Sequence, residues 1–122
     1  MTLLTYLRAD LPRLMKRRDR VALRVVRDAI SAIENAQTSY LTTETTVGTP
    51  SEFVAGALRF GHAERVVRDQ SEEEMLALAR EQVAKRLESA ADYRAAGDVD
   101  RALTLKAEAL ALADRLQAYP GR

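Results

Sequence analysis

The sequence predicts an all-α protein: a four-helix antiparallel or orthogonal bundle with a long irregular segment between its second and third helices. Apolar residues recur at steps of three and four in four stretches, about 2–17, 20–38, 72–96 and 99–118, which is the spacing of one helix face. Residues that favour helix N-caps precede these stretches. With 122 residues and no cysteine, we expect a single domain, 1–122, with a core that needs no disulfides.

The first helix is predicted over 2–17, with Thr2 as its N-cap. Pro12 lies inside it, removes one backbone donor and costs about 3 kcal/mol. We expect the helix to kink there rather than to split into two. Its predicted apolar stripe consists of Leu3, Leu4, Leu7, Leu11, Leu14 and Met15.

The second helix is predicted over 20–38, behind the N-cap Asp19. No glycine marks its end, so Thr38 is a weak boundary. From Leu41 to Gln70, threonine, glycine and proline are frequent and predict a loop excursion over 41–70 packed on the bundle, with a short helix at 51–58. The predicted core face of the second helix carries Leu23, Val26, Ile30 and Ile33.

A capping box opens the third helix, since Ser71 is followed three residues later by Glu74. Gly97 suits the left-handed residue that ends such a helix, and Asp98 can cap the fourth. The short connection predicts an antiparallel hairpin. The predicted core positions are Leu76, Ala79, Val83, Leu87, Ala90 and Tyr93 in the third helix, and Ala102, Leu103, Leu110, Ala113 and Leu116 in the fourth.

Residues for catalysis are scarce in the sequence. His62 is the single histidine and there is no cysteine, so a zinc site or a Cys–His pair lacks the residues it needs. The scattered glycines do not form a phosphate-binding loop. We therefore expect no catalytic, cofactor-binding or metal site, and no cofactor.

Positive charge is concentrated near the start of the chain. Residues 1–35 hold eight Arg or Lys against four Asp or Glu, a net charge of +4, although the whole chain carries only +1. Such a region is either a surface for an anionic partner or a solvated helix surface without one. Few aromatic residues lie nearby, which favours contacts to a nucleic-acid backbone over base recognition. The candidate nucleic-acid-binding residues are Lys16, Arg17, Arg20, Arg24 and Arg27.

Two blocks of the sequence resemble the GatB/YqeY family. The first is MKRRDRV at 15–21, followed by Leu23, Arg27 and AIENA at 32–36. The second is RLESA at 86–90, followed by further matching positions: Tyr93, Ala96, Gly97, Ala102, Lys106 and Glu108. The likeness covers about 2–38 and 71–116.

The resemblance implies a helical accessory domain related to the tail of the GatB subunit of the tRNA-dependent amidotransferase, which is associated with tRNA. It also implies a short variant without the family's second, smaller helical domain. The family is commonly labelled a carbon–nitrogen ligase with glutamine as the amide donor, but no residue pattern of this chain supports that activity. Asp98 departs from the family, which usually has arginine after the glycine.

The expected function is therefore non-catalytic binding of tRNA or another RNA backbone. The alternative is a helical module for protein–protein interaction or self-association that uses Phe53, Val54, Leu58 and Phe60. The N-terminus lacks the apolar run of a signal peptide and no stretch is long enough to span a membrane. We expect a cytoplasmic protein with no membrane partner.

Overall fold

The structure, a computed structural model, describes residues 1–45 and 70–121, with side chains at 1–38 and 70–121. Within these residues it contains four α-helices and no strand. The predicted all-α helical bundle is confirmed. None of the described helices combines the length and apolar character that a membrane span requires. The helices are α1 (Leu3–Arg17), α2 (Arg20–Thr45), α3 (Glu72–Ala95) and α4 (Val99–Ala118).

The chain divides into two compact units. The first unit, Met1–Ile33 with Ser71–Arg122, contains α1, the first part of α2, α3 and α4, and holds the apolar core. In the second unit, Glu34–Gln70, the side-chain amide of Gln37 donates a hydrogen bond to that of Gln70 over 3.1 Å. The predicted short helix at 51–58, and the apolar residues proposed there as an interaction surface, lie outside the described residues.

Helix α2 continues to Thr45, beyond its approximate predicted end at 38 and the predicted start of the loop at 41. Threonine lowers helix propensity only slightly, whereas glycine and proline end helices, and neither occurs between Arg20 and Gly48. The hydroxyl of Thr38 also donates to the Glu34 carbonyl oxygen over 3.2 Å, within the helix. The threonine-rich sequence is therefore compatible with continued helix.

Helix α1 passes through Pro12 without splitting, as predicted. Pro12 cannot donate to the carbonyl of Arg8, one turn earlier. Both residues are exposed, so Pro12 lies on the outer side of α1 and its ring takes no space from the apolar core.

All four predicted N-caps form. The hydroxyl of Thr2 and the hydroxyl of Ser71 each accept from a backbone N–H three residues later over 3.1 Å. The carboxylates of Asp19 and Asp98 do the same over 3.1 and 3.2 Å. Gly97 adopts the left-handed conformation, with φ of 88°, and ends α3 as predicted. Each cap contributes about 1 kcal/mol to helix stability.

Helices α3 and α4 form the predicted antiparallel hairpin. Arg86 pairs with Glu108, and nearer the turn the Arg101 guanidinium lies 5.5 Å from the centre of the Tyr93 ring. The two residues of a contact are closer in sequence when the contact lies nearer the turn. This is the pattern of two antiparallel helices joined by a short connection.

The core differs from the predicted one at four large apolar positions. Leu103 and Leu110 are 61% and 52% exposed, because α4 buries the face that carries Ala109, Leu112 and Leu116. Leucines occur on more than one face of α4, so hydrophobicity alone selects no face. The exposed residues that were predicted to be buried are Met15, Leu87, Leu103 and Leu110.

Tyr119 joins the end of α4 to the starts of α1 and α3. Its side chain is buried and its ring lies 5.0 Å from that of Tyr6. Its hydroxyl donates to the carboxylate of Glu72, which also accepts from the backbone N–H of Leu3 over 3.0 Å. Burial, together with the hydrogen bond and the negative charge of Glu72, raises the pKa of Tyr119 to about 12.

Candidate nucleic-acid interface

The five candidate cations lie around the connection between α1 and α2. Lys16 and Arg17 occupy the last turn of α1, and Arg20, Arg24 and Arg27 lie on α2. All five are exposed. The spacing of four and three residues places the three α2 arginines on one side of that helix.

The turn between the helices holds these residues close in space. Arg18 adopts the left-handed conformation, with φ of 56°, and the Asp19 N–H donates to the Leu14 carbonyl over 3.0 Å. Asp19 then caps α2. This is a Schellman-type ending with arginine where glycine is usual. The sequence offered no glycine or asparagine to signal it.

A shallow depression of about 280 Å³ lies on the exposed side of α2. Leu23 is partly buried, packs on the core and gives the depression an apolar part. Three arginines surround it, and a planar guanidinium can contact a phosphate with two parallel hydrogen bonds. Lys16 and Arg17 do not line it. The lining residues are Arg20, Leu23, Arg24, Arg27 and Asp28.

None of the five candidate cations forms an ion pair with a carboxylate of residues 1–38 or 70–121. Other basic residues of the bundle are paired: the Nε of Arg115, for example, lies 2.5 Å from the carboxylate of Asp10 and links α4 to α1. The paired cations include Lys85, Arg86, Arg101 and Arg115. No carboxylate among these described residues therefore pairs with the candidate cations.

Asp28, the acid in the depression, pairs with Arg86 of α3 rather than with Arg24, one turn away on its own helix. Arg86 is only 12% exposed, and its Nε donates to the buried carboxylate of Glu108 over 3.0 Å. Its Nη1 donates to the side-chain oxygen of Gln82 over 2.8 Å. Asp28 is thus held by Arg86, whose single positive charge it shares with Glu108, and it forms no ion pair with Arg24 among the described residues.

Sequence reasoning missed the role of Asp28 and Arg86. Arg86 and Glu108 stood out only as positions of the family resemblance, and nothing in their spacing signalled a partner on α2. The described part of the chain contains no group of three or more His, Cys, Asp or Glu placed to hold a metal ion. His62 lies outside that part.

Comparison with known proteins identifies no relative of this chain. No protein-family model, curated protein or solved structure matches this chain.

Proposed function

We propose that this chain is a non-catalytic helical domain that binds the phosphate backbone of RNA, with tRNA as the RNA that the sequence resemblance favours. Lys16, Arg17, Arg20, Arg24 and Arg27 make the phosphate contacts. The observation that carries the proposal is the exposed arginine group of α2, which has no ion-pair partner among the described residues although carboxylates are abundant.

The pairing of Asp28 supports this function. An aspartate one turn from Arg24 is a natural partner for it within the helix. Arg86 takes that aspartate instead, so the positive charge of Arg24 remains available. Within a basic surface, each charge left unpaired adds to the attraction for a polyanion.

The test is the salt dependence of tRNA binding, measured by fluorescence anisotropy. Binding should weaken with salt by a log–log slope of about −0.7 to −0.9 per phosphate contacted. The triple variant R20Q/R24Q/R27Q should lower the affinity and flatten this slope by about 2 to 3, because three contacts are lost.

The matched control removes the same charge from elsewhere on the bundle. Arg80, Arg94 and Lys106 are exposed, and the R80Q/R94Q/K106Q variant gives the same net charge as the first triple variant. It should keep nearly the wild-type slope. Absence of tRNA binding at low salt, or equal losses in the two variants, would contradict the proposal.

A second candidate function is self-association. It is favoured by three exposed apolar side chains along one side of α4, namely Val99, Leu103 and Leu110. Sedimentation velocity of the wild type and of L103K/L110K decides this point: a concentration-dependent dimer that the variant abolishes favours association. A wild-type monomer at high concentration argues against it.

A further inference from the structure

Asp28 is the acidic residue that lines the depression otherwise surrounded by arginines. A carboxylate on a surface that binds a polyanion repels it, unless the charge is neutralised or makes a contact of its own. Arg86 contacts this one through a single oxygen, Oδ2, but also pairs with Glu108, so the charge of Asp28 is only partly compensated. The other oxygen, Oδ1, accepts no hydrogen bond from the described residues, and the side chain is 50% exposed.

We infer that Asp28 selects RNA over DNA by accepting a hydrogen bond from a ribose 2′-hydroxyl. This inference rests on the proposed function, since it requires a strand whose phosphates contact Arg24 and Arg27. The 2′-hydroxyl is the donor that RNA has and DNA lacks.

The geometry favours the sugar over the base as the partner of Asp28. Arg24 precedes Asp28 by four residues, and side chains at that spacing are about 5–6 Å apart at Cβ. A nucleotide whose phosphate is held by Arg24 can then bring its sugar within reach of the Asp28 carboxylate, since both residues line the same depression. The edge of a base lies farther from the phosphate than the 2′-oxygen does.

Arg86 fixes the acceptor in place. Its guanidinium is held by Glu108 and Gln82 on the other side, so the Asp28 carboxylate has a defined position before RNA arrives. An acceptor that is already ordered loses little conformational entropy on binding. A hydrogen bond from a hydroxyl to a carboxylate is stronger than one to a neutral acceptor.

The experiment compares a single-stranded RNA with DNA of the same sequence, with each Kd measured by fluorescence anisotropy at one salt concentration. Wild type should bind RNA about tenfold more tightly, the value of one charge-assisted hydrogen bond. D28A should bind DNA more tightly than wild type does, because one negative charge is lost, and the RNA preference should fall below about twofold. D28N keeps a weaker, neutral acceptor and should show an intermediate preference.

Asp92 provides the control, since it is an exposed aspartate on α3. D92A makes the same change in charge and should keep the tenfold preference. Equal binding of RNA and DNA by the wild type, or a preference that survives in D28A, overturns this inference and leaves the proposed function standing. If neither strand binds at low salt, the proposed function fails and the inference fails with it.

Discussion

Replacing Arg86 by methionine should destabilise the fold by about 3–5 kcal/mol. Met keeps the apolar part of the side chain but removes the guanidinium that pairs with Glu108, whose side chain is only 5% exposed. A buried carboxylate left without its partner costs about this much. The contact with Asp28 adds little, because the Asp28 side chain is 50% exposed and such pairs contribute about 0–1 kcal/mol.

Urea denaturation followed by far-UV circular dichroism measures this loss, with D28A as the control expected to cost about 1 kcal/mol or less. The double variant R86M/E108L should recover most of the stability, because a buried ion pair replaced by apolar residues is often neutral or better. A loss of less than about 1 kcal/mol in R86M, or a double variant no more stable than R86M, would refute the assignment of a buried ion pair.

Three further predictions test other parts of the fold. The folded pKa of Tyr119 is about 12, above the ordinary value of about 10. The neutral side chain therefore contributes about 2–3 kcal/mol to the free energy of unfolding below pH 10, and this contribution is lost as the pH rises towards 12. Urea titrations at several pH values should show no such loss of stability in the Y119F variant. An equal loss in the wild type and in Y119F would contradict the role of Tyr119. G97A should cost about 1 kcal/mol through its left-handed φ alone, since no atom lies within 4 Å of an added Cβ; an unchanged urea midpoint would contradict this. L112A should cost about 2–5 kcal/mol and L103A less than about 1 kcal/mol, and similar losses would mean that α4 buries a different face.

The starts of the helices were predictable because their capping chemistry is local. Thr2, Asp19, Ser71 and Asp98 each bond a backbone N–H three residues later, so the cap and its partner lie in the same short stretch of sequence. Gly97 is similar, because its role depends on its own backbone conformation. Arg18 is the exception, since it adopts a left-handed conformation that its residue type does not favour.

The buried face of α4 was not predictable, because it depends on partners from other helices. Glu108 is buried only because Arg86 reaches it from α3. The helix face that buries Glu108 also buries Ala109 and Leu112. Leu103 and Leu110 lie on the other side and are exposed to solvent. A pattern based on hydrophobicity places a glutamate outside, so the predicted face wrongly included Leu103 and Leu110, although Ala102 and Leu116 are buried as predicted.

The candidate site was predictable only in part, because one of its contacts also depends on a residue from another helix. The basic residues Arg20, Arg24 and Arg27 repeat with helical spacing, and the sequence alone placed them on one face. The ion pair of Asp28 with Arg86 leaves Arg24 without an ion-pair partner among the described residues, and it joins residues 58 positions apart in the chain. Only the packed structure brings them together.

The most direct measurement of the central claim is an NMR titration of the arginine Nε–H signals with tRNA. The account predicts progressive, saturable shifts at Arg20, Arg24 and Arg27, with Arg115 unchanged because Asp10 holds its Nε. Shifts confined to arginines outside this group, such as Arg80 and Arg94, or no shifts at low salt, would contradict it.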